Sequence, residues 1–316
     1  MIQIQAIRQS VNKVIVIGNH EPIIQSILDF DYSSGKTEGS ITGIVTGRRG
    51  FVKYFFGRRE ILIPTLTAFP SLSKKTWFLN LNSGRRSLST SQGAILAGCL
   101  GGAIFAENTP ELHSLELIQL AQKHSALVVG PASVGLLIPG VLKLGPIGGI
   151  TPTQIVEGRI TKPGSMAVLS ASGGMTNELI SIATLAGHHL SFALSFGGDR
   201  FPALSPRDAF LLAQLDPETK TVLYYGELGG EDEYELVKLK EEGKFTKQVV
   251  AHIAGTVASL FPESPQFGHA KAKADKERTT ALAKRVALKT AGFNVSHSFS
   301  EFIDLVNNLP SEGLSC

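Results

Sequence analysis

The sequence predicts an α/β protein built from two doubly wound units, one over residues 1–150 and one over 151–316. Three observations carry that expectation. Short β-rich runs alternate with helical patterns from end to end, the signature of a parallel sheet covered by helices on both faces. The chain of 316 residues is 43% hydrophobic with 33 glycines and few aromatics, which suits many tight strand-to-helix turns and leaves length for two cores. The alternation breaks once, in the turn-rich stretch PASVGLLIPGVLKLGPIGGITP (131–152), and then restarts.

The elements follow in order. KVIVIG (13–18) is a buried strand, and EPIIQSILDF (21–30) carries a helical apolar stripe. ITGIVT, VKYFFG and EILIP are short extended pieces. TWFLNLN (76–82) is a strand that leads to the helix SQGAILAGC (91–99) and the strand GGAIFA (101–106). A marked helix follows, with Thr109 as N-cap, Pro110 in the first turn and leucines at 112, 115, 117 and 120. ALVVG (126–130) closes the first unit. In the second, the strands SMAVLSAS, LSFALSFG, KTVLYYGE and KQVVAHIAG alternate with helices beginning at GGMTNEL, PRDAFLL and GGEDEYE. The helices ERTTALAKRVALKTAG and SFSEFIDLVNNL end the pattern.

The totals exclude several function classes. A net charge of +3 gives no general attraction for nucleic acid or membrane surfaces. The opening MIQIQAIRQS has no apolar signal core, and the longest apolar run, residues 93–106, is too short to span a bilayer. Two cysteines, Cys99 and Cys316, cannot form a disulfide framework, so a reducing cytoplasm is expected. The eight histidines show no metal-ligand spacing, and no metal site is expected.

Three strand-to-helix corners in the second unit could carry chemistry. In SASGGMTNEL (170–179), Ser172, Gly173 and Gly174 open a helix; its free amides and dipole would hold an anion, or the glycines would merely allow tight packing. In YYGELGGEDE (224–233), Glu227 ends a strand, where catalytic side chains gather in open sheets, or it caps a helix. Glu231, Asp232 and Glu233 complement the dipole of the helix they begin. In QFGHA (266–270), His269 stands between small neighbours; a neutral imidazole can attack phosphorus, although a lone histidine is also a common surface residue. In the first unit, VIGNHEP offers only Gly18 in its turn, too few glycines for a dinucleotide fingerprint. NSGRRS (82–87) places a hydroxyl, a glycine and two arginines before a helix, which suits a phosphate-bearing ligand. The stretch TGRRGFVKYFFGRRE adds further cations.

ILDFDY, EILIP, GPASVG, SGGMTNEL, FGGDRFP, GELGGEDEYE, QFGHA and ALAKRVALKTAGFNV, in this order, resemble the α subunits of the ADP-forming acyl-CoA synthetases, the succinyl-CoA synthetase type. The resemblance runs from about residue 11 to 308 and is strongest to the citrate branch, comprising the small subunit of citryl-CoA synthetase and the ligase part of ATP-citrate lyase. The succinate enzymes are similar but typically read SGTLTYE and GGDP at two of these places.

The resemblance implies a Rossmann-like CoA-binding domain followed by a flavodoxin-like ligase domain. His269 would take the γ-phosphoryl group of ATP and pass it to citrate, and CoA would displace phosphate to give citryl-CoA. Ser172, Gly173 and Gly174 would hold the phosphoryl group, and Glu227 and Glu107 (in FAENTPE) would orient the imidazole. Gly18, Asn19, Ser83, Arg85 and Arg86 would contact CoA, and Asn177 and Arg200 would face citrate. No ATP-grasp region is present, so ATP and Mg2+ are expected on a β-type partner chain, in an α2β2-type assembly. The chain departs from the family pattern at Lys271, where a glycine is usual, at Ala171, where an arginine is usual, and in ENTPE. The alternatives are a succinyl-CoA synthetase α subunit and a non-catalytic CoA-binding regulatory homologue.

Overall fold

A computed structural model of the chain describes residues 2–73 and 75–310; Cys316 and the last residues of the second unit lie outside them. Two seven-stranded sheets account for the alternation. After a short helix α1 (Ile4–Arg8), the first sheet is built from β1 (Lys13–Ile17), β2 (Ile41–Val45), β3 (Gly50–Phe56), β4 (Arg59–Leu66), β5 (Thr76–Asn80), β6 (Gly101–Ile104) and β7 (Leu127–Val129). Its spatial order is β3-β4-β2-β1-β5-β6-β7, all parallel except the β3–β4 hairpin. Helices α2 (Glu21–Ser33), α3 (Gly84–Leu96) and α4 (Glu111–Lys123) connect the strands. The chain leaves β1 for β2 on one side and later reaches β5 on the other, so a crevice opens between the carboxyl ends of β1 and β5.

The second sheet comprises β8 (Leu136–Ile138), β9 (Leu142–Leu144), β10 (Met166–Ser170), β11 (Leu190–Ser195), β12 (Thr221–Glu227), β13 (Gln248–Ala254) and β14 (Asn294–Val295). Its order is β14-β13-β12-β10-β11-β8-β9, and its helices are α5 (Pro152–Glu157), α6 (Gly173–Leu185), α7 (Pro206–Leu215), α8 (Asp232–Glu241), α9 (Ala281–Thr290) and α10 (Phe299–Asn307). Every residue of β10 and β11 is buried, as continuous apolar runs covered on both faces must be. A second crevice opens where β10 has β11 on one side and β12 on the other.

The turn-rich stretch is not a linker. It contains β8 and β9, and β8 pairs antiparallel with β11. The two sheets therefore divide between β7 and β8, ahead of the expected position at 150. Strands of three residues set among glycines carry too little alternation to be read from sequence, and β11 supplies the edge that orders them. Two local expectations also shift. Helix α3 starts at Gly84 rather than near residue 91, and α4 starts at Glu111 with Pro110 at its N-cap position. Thr109 does not cap α4: Pro110 holds the N-cap position, the Thr109 hydroxyl lies 3.3 Å from that of Ser87, and its N–H donates to Asp199 at 3.0 Å.

Polar contacts lock the two units together. Arg8 grips Asp216 with two guanidinium nitrogens at 2.5 and 2.8 Å and donates a further bond to the carbonyl of Ser191. Burial raises the Asp216 carboxyl, but the bonds from Arg8 and Thr219 outweigh it and hold it below its ordinary 3.8. At a second seam, Lys143 of β9 is fully buried and donates to Ser26 of α2 and to the Gly145 carbonyl, each at 2.8 Å. Burial pushes its ammonium down to about 7 against the opposing pull of Asp29 and Asp31. Cys99 is buried and its thiol is pushed up to about 12 by burial, so it is no nucleophile. No helix among the described residues is long and apolar enough to cross a membrane.

The Arg8–Asp216 pair is expected to matter to stability because removing one partner strands a buried charge. Asp216→Asn should cost about 3 kcal/mol in urea unfolding, whereas Arg207→Ala, which loses partly exposed pairs to Glu235 and Glu242, should cost less than about 1 kcal/mol. Asp216 has a depressed folded pKa, so its contribution is full above the unfolded value and is lost as pH falls through the folded one. The gap between wild type and Asp216→Asn should therefore narrow in acid below 3.8.

Candidate functional site

The crevice at the end of the second sheet gathers the three corners that the sequence singles out. β12 ends on Glu227, and β10 runs through Ser170 into the N-cap of α6 at Ser172. Because β10 and β12 are adjacent and in parallel register, these two side chains stand at neighbouring strand ends. Ser172, Glu227 and His269 line one cavity of about 320 Å³ together with Met175, Tyr225 and Phe267.

The His269 loop closes on itself. The N–H of Phe267 bonds the Ala272 carbonyl at 2.9 Å, the N–H of Ala272 bonds the His269 carbonyl at 3.0 Å, and the Gln266 side-chain amide donates to that same carbonyl. Gly268 takes the left-handed region at φ 45°, where a side chain would be strained. The imidazole is thereby presented to Glu227, with Nδ1 2.9 Å from each carboxylate oxygen. A carboxylate accepts only, so Nδ1 carries the proton and the Nε2 lone pair is left for chemistry. The Glu227 hydrogen bond raises the imidazole pKa above 6.5; burial opposes it, the charges of Glu227 and Glu107 assist, and Lys271 counteracts.

Gly198, in the loop after β11, is the floor beneath the ring. A β-carbon added there would lie 2.5 Å from Cδ2 and 2.7 Å from Nε2 of His269, so only glycine admits the ring in this position. The next residue, Asp199, reaches across to the first unit and accepts the N–H groups of Asn108 and Thr109 at 3.1 and 3.0 Å. On the other side of that turn, a β-carbon at Gly84 would lie 2.9 Å from the Glu107 carbonyl oxygen. The peptide carrying Glu107 is thus fixed between the start of α3 and Asp199, and its charge acts on His269 from the first unit.

Glu227 is itself held from below. Lys284, 1% exposed on α9, donates to the Glu227 carbonyl at 2.7 Å and to the Gly229 carbonyl, and pairs with Glu233 at 2.6 Å. Glu233 accepts from the Tyr224 hydroxyl at 3.2 Å, and burial raises its carboxyl pKa. This network pins both ends of the Glu227–Gly229 turn.

The glycines opening α6 have separate tasks. A β-carbon at Gly173 would strike Val134 at 2.5 Å, so that position serves packing, while Gly174 faces open space. The Ser172 hydroxyl accepts the Met175 N–H at 3.4 Å, and the first-turn amides of Gly173 and Gly174 have no acceptor within the helix. An anion at this helix end would meet those amides and the positive end of the dipole.

The first-sheet candidates gather at their own crevice. Gly18 adopts φ 85° and a β-carbon there would lie 2.9 Å from Oδ1 of Asn82, so the turn after β1 touches the turn after β5. Asn19 accepts from the Tyr54 hydroxyl at 2.9 Å. Ser83 is the N-cap residue of α3 with a side chain that makes no capping bond, and Arg85 and Arg86 are exposed beside it.

Asn177 and Arg200 are not brought to His269. Asn177 accepts the Gly148 N–H at 2.8 Å and lines a different cavity of about 670 Å³ between α6 and α5. Arg200 is 60% exposed, 3.4 Å from Glu111, with its guanidinium over Phe201. Three contributors to the site are absent from the sequence expectations: Gly198, Asp199 and Lys284. For Lys284 a signal exists, since a lysine falls on the buried stripe of α9 with Ala281 and Leu288. Among the described residues, no group of three or more His, Cys, Asp or Glu could hold a metal ion.

Known proteins place this geometry. Residues 169–293 match the CoA-ligase family. The chain is 38% identical over 282 residues to ATP-citrate synthase beta chain protein 1 of Arabidopsis thaliana, covering 87% of this chain and 46% of that protein. It is 36% identical over 304 residues to ATP-citrate synthase of Mus musculus, covering 94% of this chain and 28% of the relative. The chain thus spans half or less of the length of these relatives. The structure of ATP citrate lyase from Methanothrix soehngenii in complex with citrate and coenzyme A superposes with a TM-score of 0.90 at 35% identity, over 94% of this chain and 49% of that one. The fold is shared more distantly with a dinucleotide-forming acetyl-coenzyme A synthetase of Ca. Korarchaeum cryptofilum, at TM-score 0.66 and 17% identity. Residues 169–293 thus carry the match to the CoA-ligase family, in a chain that is similar over most of its length to part of the ATP-citrate synthases.

Proposed function

We propose that the chain is the α-type component of a citrate–CoA ligase that forms ADP, with His269 as a phosphoryl carrier. The observation that carries this reading is the Nδ1–H of His269 shared between both Glu227 oxygens, which leaves the Nε2 lone pair free on a ring that lines one cavity with Ser172, the N-cap of α6. Citrate and coenzyme A enter from the solved relative that binds them, and ATP from the names of the relatives.

In this reading, ATP and its Mg2+ are held by a β-type partner chain. Nε2 attacks the γ-phosphorus, the bond to the ADP oxygen breaks, and the ring carries the charge next to Glu227. A citrate carboxylate oxygen then attacks phosphorus and the N–P bond breaks, which restores the imidazole and gives citryl phosphate. The CoA thiolate attacks the acyl carbon and phosphate leaves with its electron pair, giving citryl-CoA. The chain's own contribution is positional: Glu227 sets the tautomer, the Gly173 and Gly174 amides receive the phosphoryl oxygens, and Glu107 supports the cationic ring. Gly18, Asn19, Ser83, Arg85 and Arg86 form the crevice assigned to the phosphates of CoA, where exposed arginines and the N-terminus of α3 favour oxyanions.

With γ-labelled ATP and the β-type chain, the wild type should acquire acid-labile label that citrate discharges, and His269→Ala should stay blank. Label persisting in His269→Ala, or discharge by succinate in preference to citrate, would overturn the assignment. The pH dependence has a defined sign. Only neutral imidazole attacks, so labelling should rise with pH through an inflection above 6.5. Glu227→Gln should move the inflection lower and slow labelling about a hundredfold by releasing the ring. The same raised pKa means that the protonated pair stabilises the fold below the ordinary imidazole value and that this contribution is lost as pH climbs through the folded one. Gly198→Ala should slow labelling by about a hundredfold, since a displacement of about an ångström at a reacting atom has that effect, with the global unfolding midpoint little changed.

A further inference from the structure

Lys271 stands where the resembling family carries glycine, and the structure shows what its side chain does. Its ammonium pairs with Asp232, the first residue of α8. It lies 5.7 Å from the centroid of the Phe196 ring, at the end of β11 and two residues before Gly198. Only 10% of the side chain is exposed, in a loop whose other residues are mostly open to solvent. Its carbonyl oxygen presses on Gly229, which has φ 80° and no room for a β-carbon. One residue therefore anchors the His269 loop to the head of α8, to the wall that carries Gly198 and to the turn that carries Glu227.

We propose that Lys271 is a positioning residue for His269: its clasp on Asp232 and Phe196 keeps the ring seated between Glu227 and Gly198. The functional meaning of this inference deepens the phosphoryl-carrier reading and rests on it; the positioning itself does not. The competing role for a lysine two residues from the imidazole is that of a bare charge acting on the ring or on its phosphoryl group. The two roles differ in sign. The charged groups acting on His269 are Glu227 on β12, Glu107 in the loop after β6 and Lys271 on its own loop, with Asp232 on α8 acting through Lys271. Among these, the Glu227 hydrogen bond has the largest influence and Lys271 opposes it. Deleting a bare cation would raise the imidazole pKa further. Deleting a clasp would free the ring from Glu227 and lower it.

The test is a titration of 15N-labelled imidazoles by NMR on the chain alone, with His269 assigned from His269→Ala. Lys271→Met should shift the His269 pKa downward and abolish the preference for the Nδ1-protonated tautomer, and Lys271→Arg should retain both. Asp232→Asn, which keeps the lysine but removes its anchor, should shift the pKa in the same direction as Lys271→Met. An upward shift in Lys271→Met, or no shift in either variant, overturns the proposal. Circular dichroism checks folding, and should Lys271→Met fail to fold the tautomer of His269 in Asp232→Asn supplies the reading, since a bare charge would leave Nδ1 protonated and a lost clasp would not. The titration uses neither nucleotide nor partner, so its outcome is separate from that of the labelling experiment. With the partner present, Lys271→Met should label about tenfold more slowly, and Lys271→Arg should recover the rate.

Discussion

The contact between Nδ1 of His269 and the Glu227 carboxylate is the constraint on which the remainder of this molecule depends. It fixes at once where the proton resides, which nitrogen faces the cavity and how readily the ring tolerates a positive charge. A side chain can set these three properties only if it does not itself move. Glu227 meets that condition because it is the last residue of a buried central strand and because Lys284 grips the carbonyls on both sides of its turn. Burying Lys284 with Glu233 costs desolvation on both ions, which their close pairing, the two carbonyl acceptors and the Tyr224 hydroxyl offset. The gain of such a network lies in geometry more than in stability.

The same demand explains the positions of glycine around the site. Gly198, Gly229 and Gly84 each face an atom that a β-carbon would displace: the imidazole, the Lys271 carbonyl and the Glu107 carbonyl. They allow three chain segments from two sheets to approach closely enough for a histidine on a loop to be held in one position. Asp199 completes the junction by binding two amides of the first unit through a side chain rooted in the second. The site therefore lies at the boundary between the units, which the Arg8–Asp216 and Lys143–Ser26 contacts hold at other points.

Most of the fold was legible in the sequence because buried parallel strands read as apolar runs and their helices as stripes. The α/β alternation predicted strands at β1, β5, β6 and β10 to β13 and the helices that follow them. What escaped was short or tertiary in origin. β8, β9 and β14 have two or three residues each and exist through the edges they join. At the site, the Ser172 corner, Glu227 and His269, which line one cavity, were visible because small-residue corners after apolar strands have a local sequence form. Gly198 and Asp199 were quoted within FGGDRFP, yet nothing local distinguishes a glycine under an imidazole from one in an ordinary turn. Asn177 and Arg200, polar residues inside matching motifs, make contacts of their own, to the Gly148 amide and to Glu111, that no local pattern announces.

Were His269 to carry a phosphoryl group, as proposed above, this arrangement would set the electrostatics around it. Glu227 and Glu107 act on the ring and Asp232 on its neighbour Lys271, and two unit charges about 4 Å apart interact by about 4 kcal/mol where the effective dielectric is near 20. Three uncompensated carboxylates beside a dianionic phosphoryl group would make the carrier too unstable to form. Each carboxylate has a reason not to act in full. Glu227 faces the protonated Nδ1, which becomes fully cationic once Nε2 is bonded to phosphorus. Glu107 is exposed and screened by solvent. Asp232 is neutralised by Lys271, at the cost of burying most of the lysine side chain. A glycine at 271 would leave Asp232 at the head of α8 without this partner, so Lys271 compensates charge there as well as making the contact. Repulsion on the proposed phosphoryl group would thus be reduced where the amides of α6 are placed to receive it.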